Sequence, residues 1–175
     1  MDTEIKRIYL QPGCICLASI PSCICSVVGS GIVVTIYDTK RYLGGMNYYI
    51  RPKRESPDRS TPWFACPSII GMLNMFFETG SQTEDLEAHV YGGADNPDNN
   101  DYIKGLAELN IKTGMELLKR KKIRVAGMDI GGAKGRKIAF DPLSGESIVA
   151  KVNKIRATDW YPALDDKPEK ARNIT

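Results

Sequence analysis

An α/β fold, with layered mixed β-sheets flanked by two long helices, is what the sequence predicts. Three observations lead there. Short β-branched and aromatic runs recur along the chain, yet only two stretches, about 65–79 and 102–121, carry apolar residues at helical spacing. The run Ile32-Val33-Val34-Thr35-Ile36-Tyr37 is apolar on both faces, as befits a strand covered on both sides. At 175 residues, 42% apolar and 26% charged, the chain reads as one soluble globular domain with a sizeable core.

The stretch from Ser22 to Pro52 organises the rest. Met46-Asn47-Tyr48-Tyr49-Ile50 forms a second strand, joined to the first through Asp38-Thr39-Lys40-Arg41. Gly29-Ser30-Gly31 enters the first strand and Gly44-Gly45 the second, which permits close backbone approach. If residues 38 and 41 pair, Gly31 and Tyr48 become direct cross-strand neighbours about 5 Å apart at Cβ. Thr39-Lys40 is not a favoured two-residue turn, so a bulge that shifts this register by one stays open. Tyr48 and Tyr49 point to opposite faces, and Tyr48 is expected to fill the space left by the missing side chain at residue 31.

Ahead of this stretch, Ile8-Tyr9-Leu10 is a short strand and Gln11-Pro12-Gly13 a turn. Cys14-Ile15-Cys16 and Cys23-Ile24-Cys25 follow on two strand-like pieces, each pair on one face. Four thiols within twelve residues raise the possibility of a zinc or iron–sulfur site. Structural zinc ligands are usually spaced by two to four residues rather than one, so buried thiols are the better reading, with redox pairing also open. No cofactor or metal is expected. An odd count of five cysteines behind Met1-Asp2-Thr3-Glu4, which is no signal-peptide start, fits reduced thiols and a cytoplasmic location. No stretch approaches the roughly 20 apolar residues of a membrane span. A net charge of +3 gives no case for nucleic acid or membrane partners.

Beyond it, Arg51–Pro62 is polar and proline-rich, an exposed loop placed to frame a binding surface. The first helix starts near Ala65, because Pro67 is tolerated only in a first turn, and Gly80 is its C-cap. Its buried stripe is Ile69, Ile70, Leu73, Phe76 and Phe77. Leu86–Tyr91 alternates as a strand, with His89, the only histidine, beside Glu87 and Tyr91. The second helix buries Leu106, Leu109, Met115 and Leu118, and Lys119–Lys122 complements its dipole. Gly131–Gly135 lies between two strands and reads as a tight hairpin; GxxxxGK[ST] is absent and no helix follows, so a phosphate loop is not supported. Ser147–Val152 is the last strand. The domain is expected to span 1–152, and 153–175 to be a polar, partly disordered tail anchored by Trp160-Tyr161-Pro162.

Ile8-Tyr9-Leu10-Gln11-Pro12-Gly13, VVGSGIVVTIYD, GGMNYYIRP, EAHVYGGA, DIGGAKGRKIAFD and LSGE, in that order, resemble the chemoreceptor glutamine deamidase family of bacterial chemotaxis, CheD. The resemblance covers about Ile8 to Val152 and implies a CheD-like fold. It also implies chemoreceptor cytoplasmic helices or a CheC-type phosphatase as partners. That family carries a cysteine, a histidine and a threonine where this sequence has Gly31, Tyr48 and Cys25. Deamidation needs a thiolate nucleophile and a base that raises the thiolate fraction. Gly31 offers no nucleophile, and Tyr48, with a phenol pKa near 10, is a poor base. The expected function is therefore a CheD-like chemotaxis binding protein that no longer deamidates. One alternative is an active deamidase with a shifted nucleophile, Cys25 first and Cys23 second. The other is a thiol metal-binding or redox module.

Overall fold

The computed structural model describes residues 5–53, 60–156 and 159. In chain order the strands are β1 (Lys6–Tyr9), β2 (Ile15–Ala18), β3 (Ser22–Val28), β4 (Ile32–Asp38), β5 (Leu43–Tyr49), β6 (Leu86–Gly92), β7 (Arg124–Ile130), β8 (Gly135–Phe140) and β9 (Ser147–Val152). The helices are α1 (Ala65–Glu78), which lies between β5 and β6, and α2 (Leu106–Arg120), which lies between β6 and β7.

The strands form two sheets, ordered β1-β3-β8-β9 and β2-β5-β4-β6-β7. Both are mixed, since β1 runs parallel to β3 and β6 parallel to β7, while the remaining pairs are antiparallel. The doubly apolar strand β4 occupies the centre of the five-stranded sheet, with β5 and β6 on either side. One face of that sheet packs on the helices through Ile32, Val34, Ile36 and Tyr49, against Ile69, Leu73, Phe76 and Leu118. The other face packs on the four-stranded sheet through Val33, Met46, Tyr48 and Tyr91, against Ile24, Val28, Ile138 and Phe140. The result is three layers and two cores, as a strand buried on both faces requires. Each fully buried aliphatic or aromatic side chain on α1 contributes about 1.5–3 kcal/mol to that packing.

Both helices lie within their expected spans, and Gly80 takes the left-handed conformation (φ 88°) just beyond α1. Their faces differ in detail. Phe77 and Leu109, expected inside, are 42% and 52% exposed. The buried side of α2 is centred instead on Ala107, Asn110, Gly114 and Leu118, of which the first three are small or polar and admit a neighbour's side chain.

The hairpin register also differs from expectation. Asp38 pairs with Leu43, not with residue 41, so Val33 rather than Gly31 stands directly opposite Tyr48. The Asp38 carboxylate accepts hydrogen bonds from the Lys40 and Arg41 amides, and the Tyr42 amide donates to the Asp38 carbonyl. This local capping, with Tyr42 left-handed at φ 53°, builds a four-residue loop and moves the register by two.

The glycine-rich segment 131–135 is not a hairpin, because β7 and β8 belong to different sheets. Gly131 and Gly132, at φ 76° and 69°, carry the chain from one sheet to the other. Arg136 fixes the crossing. It is only 2% exposed, donates from Nη2 to Asp129 Oδ1 (2.9 Å) and the Gly131 carbonyl (2.7 Å), and donates from Nη1 to the Lys134 carbonyl (2.7 Å). Trp160, Tyr161, Pro162 and residues 54–59 of the 51–62 loop lie outside the described residues.

Candidate functional site

Gly29-Ser30-Gly31 connects β3 of one sheet to β4 of the other, so the loop sits where the two sheets meet. All three of its carbonyls are held. The Ala94 amide donates to the Gly29 carbonyl and the Gly93 amide to the Gly31 carbonyl, both at 2.8 Å. Asn110 Nδ2 reaches from α2 to the Ser30 carbonyl and to the Ile50 carbonyl, each at 3.0 Å. The Tyr49 hydroxyl in turn donates to the Asn110 carbonyl at 2.8 Å. One helix residue thus ties together the start of β4 and the end of β5. A lone asparagine in an otherwise apolar helix stripe was the only sequence signal for it.

Tyr48 lies at the same corner. Its amide donates to the Cys14 carbonyl, its carbonyl accepts from the Gly13 amide, and its ring is buried between the sheets. A Cβ at residue 31 would stand 2.8 Å from Tyr48 Cε2, 2.7 Å from the Tyr49 carbonyl oxygen and 3.0 Å from Ile50 Cγ2. Despite the two-residue register shift, the ring leans across to residue 31 and uses the space a side chain there would need. Burial raises the Tyr48 phenol above its ordinary value, and a hydrogen bond from the Gly29 backbone offsets this only in part. The phenol therefore stays neutral at neutral pH and is no base. Tyr49, on the opposite face, is likewise raised by burial and acts as a neutral donor.

Beside this corner a cleft of about 530 Å³ remains, lined by Gly31, Tyr48 and Ile50. Asp95, Asn96, Asn99, Asn100, Asp101 and Tyr102 add a polar, acidic rim, and Arg51, Lys154 and Arg156 add cationic groups. The Gly132 carbonyl accepts from the Asp95 amide at 2.8 Å, so the loop pinned by Arg136 also supports the cleft wall. Nothing in the sequence pattern marked Arg136 for that part.

Cys25 is not brought to this cleft. On β3, Ile24 and Val28 face the inter-sheet core that contains Tyr48, whereas Cys25 faces the other way, into a groove with Tyr9, Ala139 and Ile148. Burial first, then a hydrogen bond and charge interaction with Cys23, push its thiol up to about 12, with Arg7 opposing. At neutral pH it is a protonated, weak nucleophile. Cys16 lies on β2 in the other sheet and packs at the inter-sheet core, so the two Cys-x-Cys pairs do not converge. His89 stacks on Tyr91 (centroids 6.4 Å apart, planes 7° apart) in a separate cleft with Glu87 and Ser147, at a register shift between β6 and β7.

Residues 51–151 match the family model described as CheD chemotactic sensory transduction. The chain belongs to the CheD family. The matched stretch begins at residue 51, beyond Gly31 and Tyr48. Similar proteins extend the likeness across that segment. One from Sulfurimonas denitrificans, named "Probable chemoreceptor glutamine deamidase CheD", is 30% identical over 153 residues, 86% of this chain and 97% of its own length. CheD relatives of the same naming from Geobacter sulfurreducens (27% over 154 residues, 88% and 95%) and Anaeromyxobacter dehalogenans (29% over 146 residues, 83% and 85%) are similar in extent. Family membership ties the chain to chemotaxis. Among the described residues, no helix is long and apolar enough to cross a membrane.

Proposed function

We propose that this CheD-family chain is a chemotaxis binding protein that engages chemoreceptor cytoplasmic helices or a CheC-type phosphatase without hydrolysing glutamine. One observation carries the reading. At residue 31, where the CheD resemblance puts the nucleophile, there is no side chain, and one placed there would press on the Tyr48 ring at 2.8 Å and the Tyr49 carbonyl at 2.7 Å. The neutral Tyr48 phenol replaces the base. Cys25 is no substitute, since it faces the far side of the four-stranded sheet and is held protonated. The remaining cleft, with its amide, carboxylate and cationic rim, supplies paired donors and acceptors for a polar helix surface.

The experiment offers glutamine-containing receptor helices and, separately, a CheC-type phosphatase to the purified chain, and reads binding by calorimetry and ammonia release by a coupled assay. Binding to either without ammonia above background is expected. Turnover lost in Cys25→Ala and kept in Cys16→Ala would replace this reading with a shifted nucleophile. Absence of binding to both would remove it.

A further inference from the structure

The outer face of the four-stranded sheet holds the pair of thiols that the cleft does not use. Cys23 and Cys25 alternate with the inward-facing Ile24, and their Sγ atoms are 3.6 Å apart. Both side chains are partly exposed, and a groove of about 340 Å³ lined by Tyr9, Cys25, Ala139 and Ile148 opens beside them. Arg7 stands next to Cys23 in the β1–β3 register and places a guanidinium near both sulfurs. Cys14 precedes β2, Cys16 lies on β2 and Cys66 on α1.

We propose that Cys23 and Cys25 are a reversible oxidation site, closed to an intrastrand disulfide by a low-molecular-weight disulfide. The Cys23 thiolate attacks one sulfur of the oxidant RSSR, forming a mixed disulfide and expelling RS⁻, which takes up the proton Cys23 released. Cys25 then gives its proton to solvent and attacks the Cys23 sulfur, expelling the second RS⁻, which is protonated in turn. Two protein thiols and one RSSR become one protein disulfide and two RSH. Cys23 attacks first because burial and the Cys23 hydrogen bond raise the Cys25 thiol and keep it protonated.

Reversibility follows from the strand. Residues two apart on an extended strand lie about 6.6–6.8 Å apart at Cα, the upper end of the range a disulfide spans. Closing the bridge puckers β3, and a strained, accessible bridge is readily reduced. The pucker falls beside the Cys25 carbonyl, which accepts from the Leu10 amide at 2.8 Å, so β1 is the element first loosened.

The test equilibrates the reduced full-length chain with mixtures of oxidised and reduced glutathione, quenches with acid, alkylates, and maps each cysteine by fragmentation mass spectrometry. A Cys23–Cys25 disulfide is expected to form and to reverse on adding reduced glutathione. Cys25→Ser should instead accumulate glutathione on Cys23, and Cys16→Ser should leave the bridge intact. Full alkylation of both residues at every ratio, a bridge mapped to Cys14–Cys16 or between chains, or a metal ion held by the pair after purification would each overturn the proposal.

Discussion

The Tyr48 ring closes on Gly31, so that even a methyl group at residue 31 would stand 2.8 Å from Tyr48 Cε2 and 2.7 Å from the Tyr49 carbonyl oxygen. One contact is a side-chain edge, which can move; the other is backbone in a strand, which moves far less readily. Gly31 has no positive φ, so the constraint is space and not backbone conformation. Gly31→Ala is therefore expected to destabilise by about 1–3 kcal/mol, read as a lower urea midpoint at unchanged m-value. In a Tyr48→His background the penalty should shrink without vanishing, because the Tyr49 carbonyl remains.

The proposed loss of deamidation should be reversed only by changes at both positions. Gly31→Cys alone would place a thiol against a neutral phenol, and Tyr48→His alone would place an imidazole beside a residue 31 that carries no nucleophile. Release of ammonia from receptor helices above background is expected to need at least Gly31→Cys together with Tyr48→His. Activity in either single variant would count against the assignment of these positions.

Arg136 is the group whose loss should be felt furthest from its own position. Arg136→Ala leaves the Asp129 carboxylate to Lys151 alone (3.5 Å), frees the Gly131 and Lys134 carbonyls and leaves a cavity, and should cost about 3 kcal/mol, the low end for a broken buried pair because Asp129 is partly exposed and keeps that second cation. The pair also makes stability depend on acid. Burial works against Asp129 ionising, but the hydrogen bond and charge of Arg136, with those of Lys151, outweigh it and hold the carboxyl below its ordinary range. The stabilisation is therefore complete above the unfolded carboxylate pKa of about 3.9 and is lost as pH falls through the lower folded value. The gap between wild type and Arg136→Ala should narrow below about pH 4 in denaturation curves.

These positions mark what the chain's pattern conveys and what it does not. The doubly apolar β4, the α1 stripe Ile69-Leu73-Phe76 and the opposed faces of Tyr48 and Tyr49 follow from local periodicity, which the three-layer packing preserves. The hairpin register did not, because it is set by the Asp38 carboxylate capping two amides, an effect of side-chain geometry rather than of hydrophobic pattern. The 131–135 segment reads as a hairpin by its glycines, yet adjacent strands can part into different sheets when a buried arginine binds the crossing. At the candidate site, Gly31 and Tyr48 were legible through the CheD resemblance, whereas Asn110 works through contacts to residues 50 and 30, far off in sequence.

The same long-range contact reverses an ordinary rule on α2. Replacing a glycine inside a helix by alanine normally gains about 0.5–1 kcal/mol through backbone entropy. At Gly114 the new Cβ would fall on the Tyr49 hydroxyl, the group that donates to the Asn110 carbonyl at 2.8 Å. The hydroxyl cannot retreat without breaking that bond, and it is buried, so the displaced donor would find no water. Gly114→Ala is expected to lower stability by about 1–3 kcal/mol despite its helix propensity. Tyr49→Phe removes the hydroxyl and leaves the ring carbon beneath it 3.3 Å from the Cβ position, so the double variant should recover part of the loss. Urea denaturation of the four proteins completes the cycle. A Gly114→Ala midpoint at or above wild type would show that α2 can shift away from β5, and the Asn110 tie between residues 30 and 50 would then be far looser than 3.0 Å contacts imply.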